Sequence, residues 1–353
     1  MVRAALKRFE LKVDQFEDHL ANRALLRRAV GEVLNLAEVA PALRDYAEAM
    51  DKHRVADGLL NYSAIVVLTY GAFEQLIEEL IVEHIQILNR IVPTFQQLPG
   101  PIQAQHTDLS AVLLRARTTR KYETRVQEVE LLQNLLLCAQ GGANYRLNAM
   151  AFAQHSANLR IGLLNEMFAQ VDVGGLTAEL RQDAELSNIA AARAGVELAN
   201  QPDSVVFRDL DDLAERRNDV AHGEVVNILT DSELMDVLKF VRALARALVA
   251  ILEENALRHE IKFHGTLLPP PINVYNNRIV CFADSPVDLH KGGRLAALRA
   301  NGRATVGRIN EIQVNGDKRD VVQAHRGEAF GVCVGFHIKP NWAFYGLPMD
   351  VLD

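Results

Sequence analysis

Arg217, Asn218 and His222 lie close together in the stretch Asp209–Glu224, DLDDLAERRNDVAHGE, and their types can do chemistry. An imidazole titrates near neutral pH and can move a proton to or from a ribose 2′-hydroxyl. A guanidinium can hold a phosphate in a bidentate fashion and offset the charge that develops on it. The Asn218 amide can fix the imidazole or a phosphate oxygen. Together the three are able to cleave RNA by attack of the 2′-hydroxyl on the adjacent phosphorus, a reaction that needs no metal. A plain structural reading stands beside this one. Arg and His near a helix C-terminus are also what the helix dipole favours, and the stretch could be a helix end with a capping side chain.

The elements that must position these residues are helical. Leu210, Leu213 and Val220 mark an apolar stripe on a helix that ends by Gly223, a natural position for a left-handed terminating residue. Asn218 and His222 are four apart and share a face. Arg217 lies about 100° from Asn218 but has a long side chain, so all three can approach one pocket near the helix C-terminus. Residues 1–262 read as helix nearly throughout, with apolar positions such as Leu76, Leu80, Ile87 and Ile91 at helical spacing. Breaks are expected at Pro41, Pro93–Pro101, Gly141-Gly142, Gly174-Gly175 and Gln201-Pro202-Asp203, which gives seven to nine helices. Thr230-Asp-Ser-Glu is a capping signal for a long helix over Asp231–His259. Three consecutive prolines then end the helical texture. Short β-rich runs follow at Arg278–Phe282, Ala304–Gln313 and Ala329–Ile338, with Asn315-Gly316 as a hairpin signal. The expected order is an N-terminal helical arm over 1–58, a helical domain over 59–262, a Pro-rich linker over 263–274 and a small β-barrel over 275–353. The arm could serve a partner helix or form an ordinary bundle pair.

Composition bounds the alternatives. The chain has 353 residues, 49% hydrophobic and 24% charged, which excludes a collagen-like chain, a disordered chain and a disulfide scaffold. Its net charge of −7 is not the bulk signature of a protein that coats nucleic acid. Residues 275–353 hold ten basic and eight acidic side chains, a tilt too small to carry an argument. Cys138, Cys281 and Cys333 fit no metal spacing, and as reduced thiols they suggest a cytoplasmic location. The charged N-terminus has no signal-peptide core, and the longest apolar run, near Ala64–Phe73, is too short for a membrane span. Arg115, Arg117, Arg120, Lys121 and Arg125, opposed only by Glu123, could track an RNA backbone or form a solvated helix face. His53, His84, His106, His155 and His259 have no partner at ligand spacing, so structural roles are expected and no metal or cofactor is called for.

Arg217-Asn218-Asp-Val-Ala-His222-Gly223 matches the Arg-Asn-x-x-x-His motif of HEPN domains, which are helical and mostly metal-independent ribonucleases. Its whole helix from Leu213 is similar to that of the RiboL-PSP or MAE-type HEPN-like nucleases. Upstream, Ser63-Ala-Ile-Val-Val-Leu-Thr-Tyr-Gly-Ala-Phe-Glu74 resembles the opening helix of that clade. Ser156-Ala-Asn-Leu-Arg160, with Leu163, Leu164 and Phe168, resembles its linker segment. The likeness covers about Leu59–Glu254. It implies a mainly α fold, a four- or five-helix HEPN core with extra helices. It also implies a homodimer in which Arg217 and His222 of both chains line one cleft. His222 is then the general acid or base, Arg217 holds the scissile phosphate, and Asn218 orients it. Glu74 could order Arg217 or simply face solvent. Members commonly act as toxins or antiphage effectors, which implies RNA or tRNA as partner and an antitoxin or sensor as restraint. The modification-regulated HEPN toxins carry Tyr two residues after the His; here that position is Glu224, so such control is not supported.

Arg303–Gly316, Val321–Ala324 and Arg326–Val334 resemble the second domain of translational GTPases, without any phosphate-binding loop. That likeness implies an RNA or protein sensor; a generic small barrel is the plain alternative. The resulting expectation is a metal-independent endoribonuclease that cuts single-stranded or loop RNA. The alternative is a HEPN scaffold that binds RNA or a protein without cutting.

Overall fold

The computed structural model describes residues 2–195, 197–198 and 200–348. Among these are twelve α-helices: α1 (Val2–Asn35), α2 (Pro41–Lys52), α3 (Arg54–Ile91), α4 (Gly100–Ala116), α5 (Glu128–Gln140), α6 (Ala149–Phe152), α7 (Ile161–Gln170), α8 (Leu176–Leu180), α9 (Ala184–Ala194), α10 (Asp203–Val206), α11 (Arg208–His222) and α12 (Asp231–His264). The expected seven to nine is too few. Several extra elements are short (α6 and α10 are four residues each), and the α2–α3 break at His53 carries no Gly or Pro signal. The expected breaks at Pro41, Gly141, Gly175 and Pro202 all fall at helix ends. Among the described residues no helix is long and apolar enough to cross a membrane.

The chain divides into two compact units that are not contiguous in sequence. The first takes the residues up to Glu83 together with Phe152–Ala250; the second takes His84–Ala151 and the chain from Ile251 onward. In the first, α3 buries Phe73, Leu76 and Ile77, which recur at three- and four-residue spacing, at 2% exposure or less. Residues 1–58 pack within this unit. Phe9 of α1 meets Phe73 edge-on at 6.4 Å, Arg8 pairs with Glu79 at 2.6 Å, and Arg242 of α12 reaches Asp14 at 2.6 Å and Glu17 at 3.0 Å. The capping signal before α12 is realised in both directions. Thr230 N–H donates to Glu233 Oε2 at 2.7 Å, and Glu233 N–H donates to Thr230 Oγ1 at 3.2 Å.

The second unit holds α4, α5, the end of α12 and the β-structure: β1 (Thr266–Leu267), β2 (Asn273–Tyr275), β3 (Ile279–Phe282), β4 (Leu289–His290), β5 (Arg294–Leu298), β6 (Ala304–Val314), β7 (Asp317–Arg319), β8 (Val321–Val322), β9 (Phe330–Val334) and β10 (Ala343–Leu347). The main antiparallel sheet runs β1-β10-β5-β6-β9-β3-β2 and curls into a half-barrel. The Pro-rich stretch 263–274 is therefore part of the fold: its first residues finish α12, and Thr266 and Leu267 pair with Gly346 and Tyr345. Asn315 and Gly316 take φ of +52° and +90°, so the β6–β7 hairpin turns where its sequence requires. The sheet closes over Val280, Phe282, Leu295, Ile312, Val332 and Phe344.

Candidate functional site

Helix α11 is fixed from below by its acidic residues. Asp209, 7% exposed, takes a bidentate contact from Arg193, with Nε at 2.6 Å and Nη2 at 2.8 Å. Asp211 Oδ1 accepts the N–H of Ile161 at 3.0 Å, which satisfies the first turn of α7. Leu210, Leu213 and Ala214 fill the core behind.

The two adjacent arginines then part company. Arg216 serves the fold: Nε donates to Asp212 at 2.6 Å, and Nη1 donates to the Tyr62 hydroxyl at 3.1 Å and the Asn227 carbonyl at 2.7 Å. Arg217 is half-buried. Its guanidinium carbon lies 5.5 Å from the centre of the Tyr70 ring, within cation–π range, and Nη1 donates to Asn218 Oδ1 at 3.3 Å. Asn218 Oδ1 also accepts from Asn158 Nδ2 at 2.8 Å. Its oxygen is thus committed, and its NH₂ has no hydrogen-bond partner among the described residues.

His222 is the last helical residue and is exposed. Gly223, at φ +75°, ends the helix behind it; Gly223 N–H bonds Val220 O at 3.2 Å and Glu224 N–H bonds Asp219 O at 2.9 Å. No hydrogen bond orients the imidazole among the described residues. The structure therefore brings Arg217 and Asn218 into contact and leaves His222 on the same helix end, facing outward.

Tyr70 is the residue with no assigned role in the sequence reading. It is 2% exposed, and its hydroxyl accepts the N–H of buried Leu159 at 2.8 Å. Burial raises its pKa, so it stays protonated at neutral pH. The segment 153–160 thus crosses the site, with Leu159 held by Tyr70 and Asn158 holding Asn218. The available signal was spacing, because Tyr70, Glu74 and Glu78 at i, i+4 and i+8 share one face of α3.

No hydrogen bond or ion pair joins Glu74 to Arg217 among the described residues. Glu74 and Glu78 meet His155 instead, at 3.4 Å and 3.3 Å from its Nε2. The expectation that His155 has no partner at ligand spacing is corrected here, because the partners lie about 80 residues away in sequence and only packing unites them. His106 does have a structural role: 1% exposed, its Nε2 accepts the N–H of Asn148 at 3.0 Å, and burial lowers its pKa to about 4.

The basic cluster belongs to the second unit and is largely not helical. Arg115 is in the last turn of α4, and Arg117, Arg120, Lys121 and Arg125 follow in turns. Arg117 is tied to Glu128 at 2.9 Å, and Lys121 sits 5.7 Å from the Tyr122 ring centre.

A family model described as RiboL-PSP-HEPN matches residues 42–254, more than half of the chain. The match takes in Tyr70, Glu74, His155, Asn158, Arg217, Asn218 and His222 and ends before the sheet. No curated protein matches the chain.

Proposed function

The chain belongs to the RiboL-PSP-HEPN family, whose domains are usually ribonucleases, and from that premise we propose that it is a metal-independent endoribonuclease acting on single-stranded or loop RNA, including tRNA. The observation that carries the reading is the division of labour between neighbours on α11. Arg216 is consumed by Asp212, Tyr62 and Asn227, whereas Arg217 rests on an aromatic face with no carboxylate paired to it among the described residues. A cation held that way keeps its charge available for a phosphate.

The Asn218 NH₂ adds a second donor beside it. His222, exposed and one turn beyond, takes the proton from the 2′-hydroxyl or returns one to the leaving 5′-oxygen. Attack at phosphorus leaves a 2′,3′-cyclic phosphate. An unstacked nucleotide is required so that the 2′-oxygen can come in line with the bond that breaks.

A homodimer completes the site. Leu60, Val67 and Leu68 on α3 are 69%, 41% and 52% exposed, and Val226 and Ile228 just after α11 are 65% and 47% exposed. Apolar surface on these two elements suits a second copy of the chain. Pairing would also supply the environment that His222 lacks in one chain. The biological role is a conditional toxin or antiphage effector, with the half-barrel as the module that selects the target or restrains the nuclease.

The test is cleavage of end-labelled tRNA and single-stranded RNA in excess EDTA by wild type, Arg217→Ala and His222→Ala. The expected result is cutting by wild type alone, with cyclic-phosphate ends. RNA binding without cutting by all three proteins would overturn the enzyme reading and leave a non-catalytic scaffold.

A further inference from the structure

Glu74 and Glu78 leave the same face of α3 one turn apart. His155 comes to that face from the segment between α6 and α7. Its side chain is 4% exposed, and Nε2 lies 3.4 Å from Glu74 Oε1 and 3.3 Å from Glu78 Oε1. One donor atom from each of the three residues lies within 4.8 Å of the others.

The other ring nitrogen fixes what Nε2 presents. Nδ1 is 2.9 Å from the carbonyl oxygen of Ala157. A carbonyl only accepts, so Nδ1 carries the proton, and in the neutral ring Nε2 turns a lone pair toward two carboxylates. A cation placed among the three donors makes that arrangement favourable. A backbone carbonyl on Nδ1–H is also the usual outer partner of a metal-bound imidazole.

The spacing distinguishes a shared proton from a metal ion. A proton shared between imidazolium and carboxylate draws N and O to about 2.7–2.9 Å. Donors held about 2.0–2.1 Å from a tetrahedral ion stand about 3.4 Å apart. The observed separations of 3.3 and 3.4 Å match the second arrangement. We propose that Glu74, Glu78 and His155 bind one divalent first-row transition ion, which pins the 153–160 segment to α3. Two carboxylate oxygens with one imidazole nitrogen and no thiolate suit Zn²⁺ or Mn²⁺. Glu74 is about a third exposed, so water can reach the ion and complete its coordination.

The ion holds geometry and takes no part in the reaction. The segment it pins carries Asn158, which fixes Asn218, and Leu159, which meets Tyr70. Binding itself does not depend on the nuclease reading, and its test is read without RNA.

Full-length protein is stripped with chelator, exchanged into chelator-free buffer, and titrated with Zn²⁺ or Mn²⁺ by calorimetry. Wild type is expected to take one ion per chain and to gain about 5 °C in Tm at a hundredfold excess over Kd. Glu78→Gln and His155→Gln should each weaken binding at least tenfold. His53→Ala, which removes an exposed histidine elsewhere, should leave it unchanged. With Mn²⁺, the ¹⁴N coupling of a single imidazole in the electron-spin spectrum should vanish in His155→Gln. Glu78→Gln is nearly isosteric, and circular dichroism confirms its fold, so it decides the matter if the histidine variant fails to fold. Absence of saturable binding by wild type, or binding undiminished in Glu78→Gln, overturns the proposal. If RNA is not cut yet the ion binds as described, only the nuclease reading falls.

Discussion

Tyr70→Phe removes one oxygen and isolates the anchor of the whole site. The ring stays, so Arg217 keeps its aromatic face 5.5 Å away. What is lost is the acceptor for Leu159 N–H, a 2.8 Å bond between groups that are 2% and 0% exposed. An amide N–H left without a partner in such surroundings costs about 1–3 kcal/mol. At roughly 2–4 °C per kcal/mol for a unit of this size, a loss of about 2 kcal/mol lowers Tm by about 4–8 °C. Urea unfolding followed by circular dichroism should show the midpoint falling with an unchanged slope. Tyr70→Leu should fall further, because the ring volume and the cation–π contact, about 0.5–2 kcal/mol, go as well. Tyr70→Phe and Asn158→Ala should be non-additive, since both release the same segment. RNA affinity should drop more in Tyr70→Leu than in Tyr70→Phe, because only the former takes the platform from Arg217. A Tyr70→Phe protein within about 0.5 kcal/mol of wild type would refute the reasoning, since Leu159 N–H would then have found water or another acceptor.

Three further outcomes are expected. Glu260 is fully buried and held by Arg294 through contacts of 2.5 and 2.8 Å, so Glu260→Ala should cost about 3–5 kcal/mol in urea unfolding, and Glu260→Leu with Arg294→Met should recover most of it. His106 is neutral when folded, with its pKa lowered to about 4 from 6.5. The unfolded chain therefore binds the proton first, and its contribution, full above pH 6.5, is lost as pH falls toward 4, by about 3 kcal/mol in all. His106→Gln, which keeps an acceptor for Asn148, should flatten that part of the stability–pH curve. Gly223 sits at φ +75° with nothing within 4 Å of an added Cβ, so Gly223→Ala should cost only the backbone term, about 1 kcal/mol, while Gly223→Asn is nearly neutral by thermal melt.

The half-barrel and the helical units differ in how their β and α elements could be read. Strands β3, β6 and β9 are legible because short β-branched runs sit between Gly and Asn turn signals. Strands β1 and β4 are two residues long, and two residues carry no alternation to read. Thr230 and Glu233 announce the start of α12 because a cap is a local interaction three residues long. The end of α4 at Ala116 has no such mark, since neither Gly nor Pro follows it in the next turns.

Spacing alone places Arg217, Asn218 and His222 at the end of one helix, because a helix converts spacing into direction. The sequence also marks where that helix stops, because Gly223 tolerates a left-handed φ that other residues resist. Packing alone tells the two arginines apart, since Arg216 and Arg217 are identical in type and differ only in what surrounds them. Packing likewise brought Glu74 to His155 and set the Tyr70 ring against Arg217. Contacts between residues about 60 to 150 positions apart leave no periodic trace in a chain, because periodicity records one element's own geometry and not the element it meets.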